Sequence, residues 1–133
     1  MDWTKLKPLD VAKIKAVDFP EDKFYPIEYP KKQVVLHHTV SNSNSIQGDL
    51  DHWMTLDGRI STCMIISGDG TPNQCFSSRF WAHHLGVKST YLQSQGFADW
   101  TTRTIELNKS SISVEIDAWG GVVLGDGTDK KFG

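Results

Sequence analysis

The apolar and polar positions divide the chain into short segments with different periods. Residues 33–40 read QVVLHHTV, a largely apolar, β-branched run that predicts a central buried strand ending in polar residues. After the polar stretch 41–45, four apolar residues fall at i, i+4, i+7 and i+8, which is one face of an amphipathic helix: Ile46, Leu50, Trp53 and Met54. Residues 57–58, Asp-Gly, are expected to close this helix.

The middle of the chain predicts a β-hairpin. Residues 59–67 alternate as a strand does, Gly68-Asp69-Gly70 is a turn signal, and residues 73–77 form the partner strand. Cys63 and Cys75 lie symmetrically about this turn, so we expect them to be cross-strand neighbours. A disulfide and a pair of packed thiols are both compatible with that position, and the second is favoured.

The remaining segments complete an α/β or α+β domain, a single unit with a central mixed sheet flanked by helices. Residues 88–95 predict a short helix stopped by Gly96. Residues 111–119 predict a strand whose apolar side chains (Ile112, Val114, Ile116) face one way and whose polar ones (Ser113, Glu115, Asp117) face the other. Residues 1–32 carry four prolines and predict an extended arm packed on the domain 33–133.

Composition excludes several classes of protein. The 133 residues fit one compact domain, and 38% hydrophobic with 23% charged residues is an ordinary globular composition. A net charge of −2 gives no electrostatic reason to expect nucleic acid as a partner. No apolar run reaches the roughly 20 residues that span a membrane, and residues 1–15 lack the apolar stretch of a secretory signal. We therefore expect synthesis in the cytoplasm and no membrane partner.

Three features are candidates for chemistry, and each also has a structural explanation. His37 and His38 end a strand, so one imidazole points to each side of the sheet, and imidazole is a good zinc ligand. Residues 81–86, WAHHLG, have the composition of a substrate-binding loop. Glu115, on a strand, is placed to act as general base to a metal-bound water. From each feature alone, a structural histidine pair, an anchored loop and an exposed glutamate remain open alternatives.

The order of four motifs adds a resemblance to a family. Residues 34–40, 60–71, 84–87 and 108–116 are similar, in this order, to the opening strand, second strand, substrate loop and glutamate strand of the type 2 N-acetylmuramoyl-L-alanine amidases. This superfamily includes the phage lysozyme-type amidases and the peptidoglycan recognition proteins. The resemblance covers about Gln33 to Gly121 and implies the mixed-sheet fold of that superfamily.

The resemblance also implies a function and a set of site residues. The chain would be a zinc-dependent amidase that cuts the bond between N-acetylmuramic acid and L-alanine in peptidoglycan. His37 would be the first Zn²⁺ ligand and Glu115 the catalytic carboxylate. The residues that bind the muropeptide substrate would be His84, Asn108, Thr39 and Trp81.

The chain departs from the family pattern in ways that leave alternatives. The family's remaining two zinc ligands follow the glutamate strand and a further helix, so the domain is expected to lack its C-terminal part, with those ligands beyond Gly133. The chain would then be a fragment, a short form that binds peptidoglycan without cutting it, or a protein in which His83, His84 or an aspartate completes an unusual site. A phage or prophage endolysin released by a lysis system and a cytoplasmic muropeptide-recycling enzyme both suit the absence of a signal peptide.

Overall fold

The computed structural model describes residues 13–40 and 46–118. Within them the helices and strands follow in the order β1 (Lys15–Ala16), a 3-10 helix (Glu21–Lys23), β2 (Gln33–His38), α1 (Gln47–Thr55), β3 (Met64–Ile66), β4 (Pro72–Gln74), α2 (Ser89–Ser94), α3 (Arg103–Ser110) and β5 (Ser111–Ile116). The sequence features at 41–45 and from Trp119 onward lie outside the described residues.

The five described strands form one mixed sheet in the order β1-β4-β3-β5-β2. The β3–β4 pair is antiparallel, and the β1–β4, β3–β5 and β2–β5 pairs are parallel. With three described α-helices, the chain has an α+β architecture, as the sequence predicted at this coarse level. No helix among the described residues is long and apolar enough to cross a membrane.

Strand β2 occupies an edge of the described sheet, and the prediction of a central buried strand was wrong. In residues 13–40 and 46–118 it pairs with β5 alone. Val34 and Leu36 are 59% and 64% exposed, whereas His37 on the opposite face is half-buried. Apolar residues at successive positions suggested burial on both faces, but burial depends on which elements cover each face.

The hairpin is confirmed, but both strands are shorter than expected, at Met64–Ile66 and Pro72–Gln74. Met64 pairs with Gln74 across the turn, but the ladder does not extend back to residue 59. Residues 59–61 pair with His83 instead, through hydrogen bonds of 2.8 and 3.1 Å to its backbone, and Cys63 N–H donates to the Ser113 hydroxyl at 3.0 Å. Cys75 N–H donates to Cys63 carbonyl at 2.9 Å, so the two cysteines are cross-strand neighbours, and both are free and buried.

Two of the helices follow the predicted pattern and one does not. Helix α1 buries Leu50, and α2 ends before Gly96, which has a φ of 78°. Helix α3 was not predicted, and Asn108 lies in it rather than in the glutamate strand to which residues 108–116 were compared. Its sequence RTIELNKS has no apolar stripe at helical spacing, so nothing in the pattern indicated a helix there.

The described part of the N-terminal arm is built into the domain. Lys15 pairs with Asn73, which adds β1 to the sheet. Phe19 and Phe24 are buried in the same core cluster as Ile65, and the Phe24 ring stacks on another core ring with centroids 4.6 Å apart. The core therefore closes over the sheet with side chains from both sides of residue 33, and that domain boundary stays a prediction.

Candidate functional site

The candidate site lies near the carboxyl ends of the parallel strands β2 and β5. His37 pairs in register with Glu115, which also pairs with Ile65 of β3. Residues in register on neighbouring strands share a face and stand about 4.8 Å apart along the hydrogen-bonding direction. The two functional candidates from segments far apart in sequence are thus adjacent on one face.

Glu115 has an environment that favours its protonated form. One of its carboxylate oxygens, Oε2, is buried and makes no hydrogen bond within the described residues. Burial raises the pKa of Glu115 to about 7, and the negative charge of Asp49 in the first turn of α1 adds to this increase. A carboxyl group with such a pKa exchanges its proton readily near neutral pH.

His84 is held against this face by Asn108. The side-chain oxygen of Asn108 accepts hydrogen bonds from the backbone N–H groups of His84 and Leu85, at 2.8 and 3.0 Å. Its amide nitrogen donates to the Thr104 carbonyl at 2.7 Å, which fixes the orientation of the amide. Asn108 is 1% exposed, so its contribution is to anchor the histidine loop on α3.

The His84 ring joins two strands through its nitrogens. Nδ1 of His84 lies 2.9 Å from Nε2 of His37, with the two rings nearly perpendicular. Nε2 of His84 lies 2.7 Å from the hydroxyl of Ser111, the first residue of β5. We call His37, His84 and Glu115 the strand-end site.

The surroundings of both histidines of the strand-end site favour the neutral imidazole. Burial, with smaller effects from the nearby His37 and Lys31, lowers the pKa of His84 to about 4. Burial also lowers the pKa of His37, with a smaller effect from His38. Neutral imidazole has a free electron pair on one nitrogen, which is the form that binds a metal or accepts a proton.

The other predicted residues lie around this site in different settings. Thr39 donates a long hydrogen bond of 3.5 Å to Asp117 at the end of β5. Trp81 is 8% exposed, and its ring stacks on Tyr25 with centroids 3.9 Å apart. The His83 ring packs edge-on against the same two rings, so His84 and not its neighbour meets His37. The substrate contacts of Thr39 and Trp81 stay predictions.

The described residues include side chains that are suitable zinc ligands, but fewer of them than a catalytic zinc site needs. His37 and His84 are suitable donors, but Glu115 is assigned to proton transfer, and a catalytic zinc takes three protein ligands. Two nitrogens sharing a tetrahedral zinc would stand roughly 3.3 Å apart. His37 and His84 instead hydrogen-bond each other at 2.9 Å. No group of three His, Cys, Asp or Glu side chains placed to hold a metal occurs within 13–40 and 46–118.

Two residues of the site were not identified from the sequence. Ser111 contacts His84, and Asp49 acts on Glu115 through its charge. Ser111 stands three positions after Asn108 and directly follows the same helix. Asp49 carries no comparable signal, because an acidic residue in the first turn of a helix is ordinary.

Comparison with known proteins adds no assignment. Scans against protein-family models, characterised proteins and solved structures find no match to this chain.

Proposed function

We propose that this chain is a zinc-dependent amidase that hydrolyses the bond between N-acetylmuramic acid and L-alanine in peptidoglycan. The observation that carries the proposal is the pairing of His37 with Glu115 at neighbouring strand ends, with His84 hydrogen-bonded to His37. These three residues come from three of the four motifs that resemble the amidase family. A phage or prophage endolysin is the proposed setting.

Glu115 is the proposed proton carrier of this reaction. Hydrolysis of an amide needs a base that takes a proton from the attacking water and an acid that returns one to the leaving amine. A carboxyl group with a pKa of about 7 performs both steps near neutral pH. The amine released is the α-amino group of L-alanine.

A cleavage assay on purified, insoluble peptidoglycan tests this proposal. We expect new L-alanine amino termini to appear without new reducing sugar ends, which distinguishes an amidase from a glycosidase. Glu115→Gln keeps the side-chain volume and removes the proton transfer, so the rate should fall at least about a hundredfold. Glu28→Gln removes the same charge from an exposed side chain and should leave the rate unchanged.

Zinc dependence has its own measurement. We expect about one zinc per wild-type chain by elemental analysis after dialysis, and its loss in His37→Ala. His38→Ala is the matched control, because the neighbouring imidazole is exposed on the opposite face of β2. Equal zinc contents in the two variants would contradict the assignment of His37 as a ligand.

A second function is favoured by one observation, the incomplete donor set within the described residues. A domain of this kind would bind peptidoglycan without cleaving it. Sedimentation with insoluble peptidoglycan separates the two functions, since a binding domain sediments with the polymer and releases no amino termini. A chain that neither cleaves nor sediments would overturn both.

A further inference from the structure

Ser111 links the strand-end site to helix α3. It is the first residue of β5, directly after α3, and is 3% exposed. Its hydroxyl oxygen lies 2.6 Å from the Leu107 carbonyl oxygen and 2.7 Å from Nε2 of His84. A third, longer contact of 3.3 Å reaches the Asn108 carbonyl. The hydroxyl group thus has one hydrogen available for two short contacts.

The position of that hydrogen follows from the partners. The Leu107 carbonyl carries no hydrogen, so two oxygens 2.6 Å apart require the serine hydroxyl to donate. The hydroxyl then has only lone pairs to offer His84. A contact of 2.7 Å to Nε2 consequently requires the imidazole to donate, which places a proton on Nε2 of His84.

The same reasoning extends to His37. A neutral imidazole carries one N–H, so Nδ1 of His84 is an acceptor once Nε2 is protonated. Nε2 of His37, at 2.9 Å, must donate to it. Nδ1 of His37 is then the nitrogen that keeps a lone pair.

We propose that Ser111 is a positioning residue, which fixes the proton of His84 on Nε2 and, through His84, fixes the proton of His37 on Nε2. His37 thereby presents Nδ1 as its unprotonated nitrogen. Asn108 makes this possible by holding the backbone of residues 84 and 85 in place, so that the ring cannot move away from Ser111. The positions of these protons do not depend on the proposed function, whereas their role in catalysis rests on it.

Ring nitrogen chemical shifts test the inference directly. In long-range ¹H–¹⁵N correlation spectra of the ¹⁵N-labelled full chain at pH 7.5, we expect His84 and His37 to show protonated Nε2 and unprotonated Nδ1. Ser111→Ala removes the acceptor, so the His84 shifts should move toward the average of the two tautomers. Ser111→Thr, which restores a hydroxyl, should return them toward the wild-type values.

Ser110→Ala is the matched control, because Ser110 is an adjacent buried serine whose hydroxyl bonds the Leu107 carbonyl at 3.5 Å. It should leave the ring shifts unchanged. A proton on Nδ1 of His84 in the wild type, or wild-type shifts in folded Ser111→Ala, would overturn the inference. If Ser111→Ala fails to fold, the wild-type spectrum still decides. Since the spectra involve no peptidoglycan, an inactive chain with the expected tautomers refutes the proposed function alone.

Discussion

At the scale of single residues, the strand-end site places a carboxyl group where its charge is disfavoured. Glu115 is half-buried, and both its burial and the negative charge of Asp49 raise its pKa. A folded-state pKa of about 7, above the ordinary 4.5, means that the folded chain binds this proton more tightly than the unfolded chain. The proton bound at Glu115 therefore stabilises the fold at acidic pH, and this contribution is lost as the pH rises.

A pH series of urea unfolding measures this effect. The contribution of Glu115 is fully present below about pH 4.5 and is lost as the pH rises through about 7. We measure the difference in unfolding free energy between Glu115→Gln and the wild type in chelator-containing buffer. With allowance for solvent access, we expect this difference to shift in favour of the variant by about 1–2 kcal/mol from pH 4.5 to pH 8. Glu28→Gln, with 61% side-chain exposure, should follow the wild-type curve. Parallel curves for wild type and Glu115→Gln would contradict the raised pKa.

The sequence indicated which residues belong to the candidate site, but it did not indicate which side chains they contact. His37, Glu115, His84 and Asn108 were named from strand ends and motif order, and the structure brings them into one region. Ser111 was missed because its contact with His84 depends on where α3 ends and how β5 pairs with β2. No local pattern encodes a contact between a loop and a strand 27 residues further along the chain.

At the scale of elements, the sequence correctly predicted those helices and strands whose start and end signals lie within a few residues. The β3–β4 hairpin, α1 and α2 each have turn or end signals within a few residues, and all three formed. The edge position of β2 and the existence of α3 depend on packing against distant segments. Propensity and periodicity describe a segment's own preferences, and long-range packing overrides them.

Gly96 provides a prediction at this scale. It follows α2 with a φ of 78°, a conformation that strains a residue with a side chain, although a Cβ there would meet no atom within 4 Å. Gly96→Ala should therefore cost about 1 kcal/mol of unfolding free energy through backbone strain alone. Gly86→Ala, equally open but without a positive φ, should be neutral or slightly stabilising. Equal urea midpoints for the two variants would show that strain does not set the end of α2.

At the scale of the whole molecule, the core joins the N-terminal segment to the rest of the domain. Phe24 is not part of a strand, yet it is only 6% exposed. Its ring stacks on the rings of Phe76 and Phe80, with centroids 4.6 and 5.9 Å away. Both partners come from the chain after β4. An arm with four prolines was expected on the outside, but Phe19 and Phe24 in its described part belong to the core.

Truncation of Phe24 should therefore destabilise the whole domain. We expect Phe24→Ala to cost about 3–5 kcal/mol, a large fraction of the stability of a domain this size. Ile27→Ala, three residues later and 60% exposed, should cost less than about 0.5 kcal/mol. Urea unfolding monitored by tryptophan fluorescence measures both. A small loss for Phe24→Ala would mean that the arm is dispensable to the core.

The strand order has a consequence for the timing of folding. β5 is the last described strand in the sequence, yet it lies between β3 and β2, which precede it by many residues. During synthesis the β3–β4 hairpin can form locally, while β2 has no described partner until residues 111–116 emerge from the ribosome. When β5 pairs with β2, it also places Glu115 beside His37. Pairing of β2 within the described sheet and the meeting of His37 with Glu115 therefore both wait for residues 111–116.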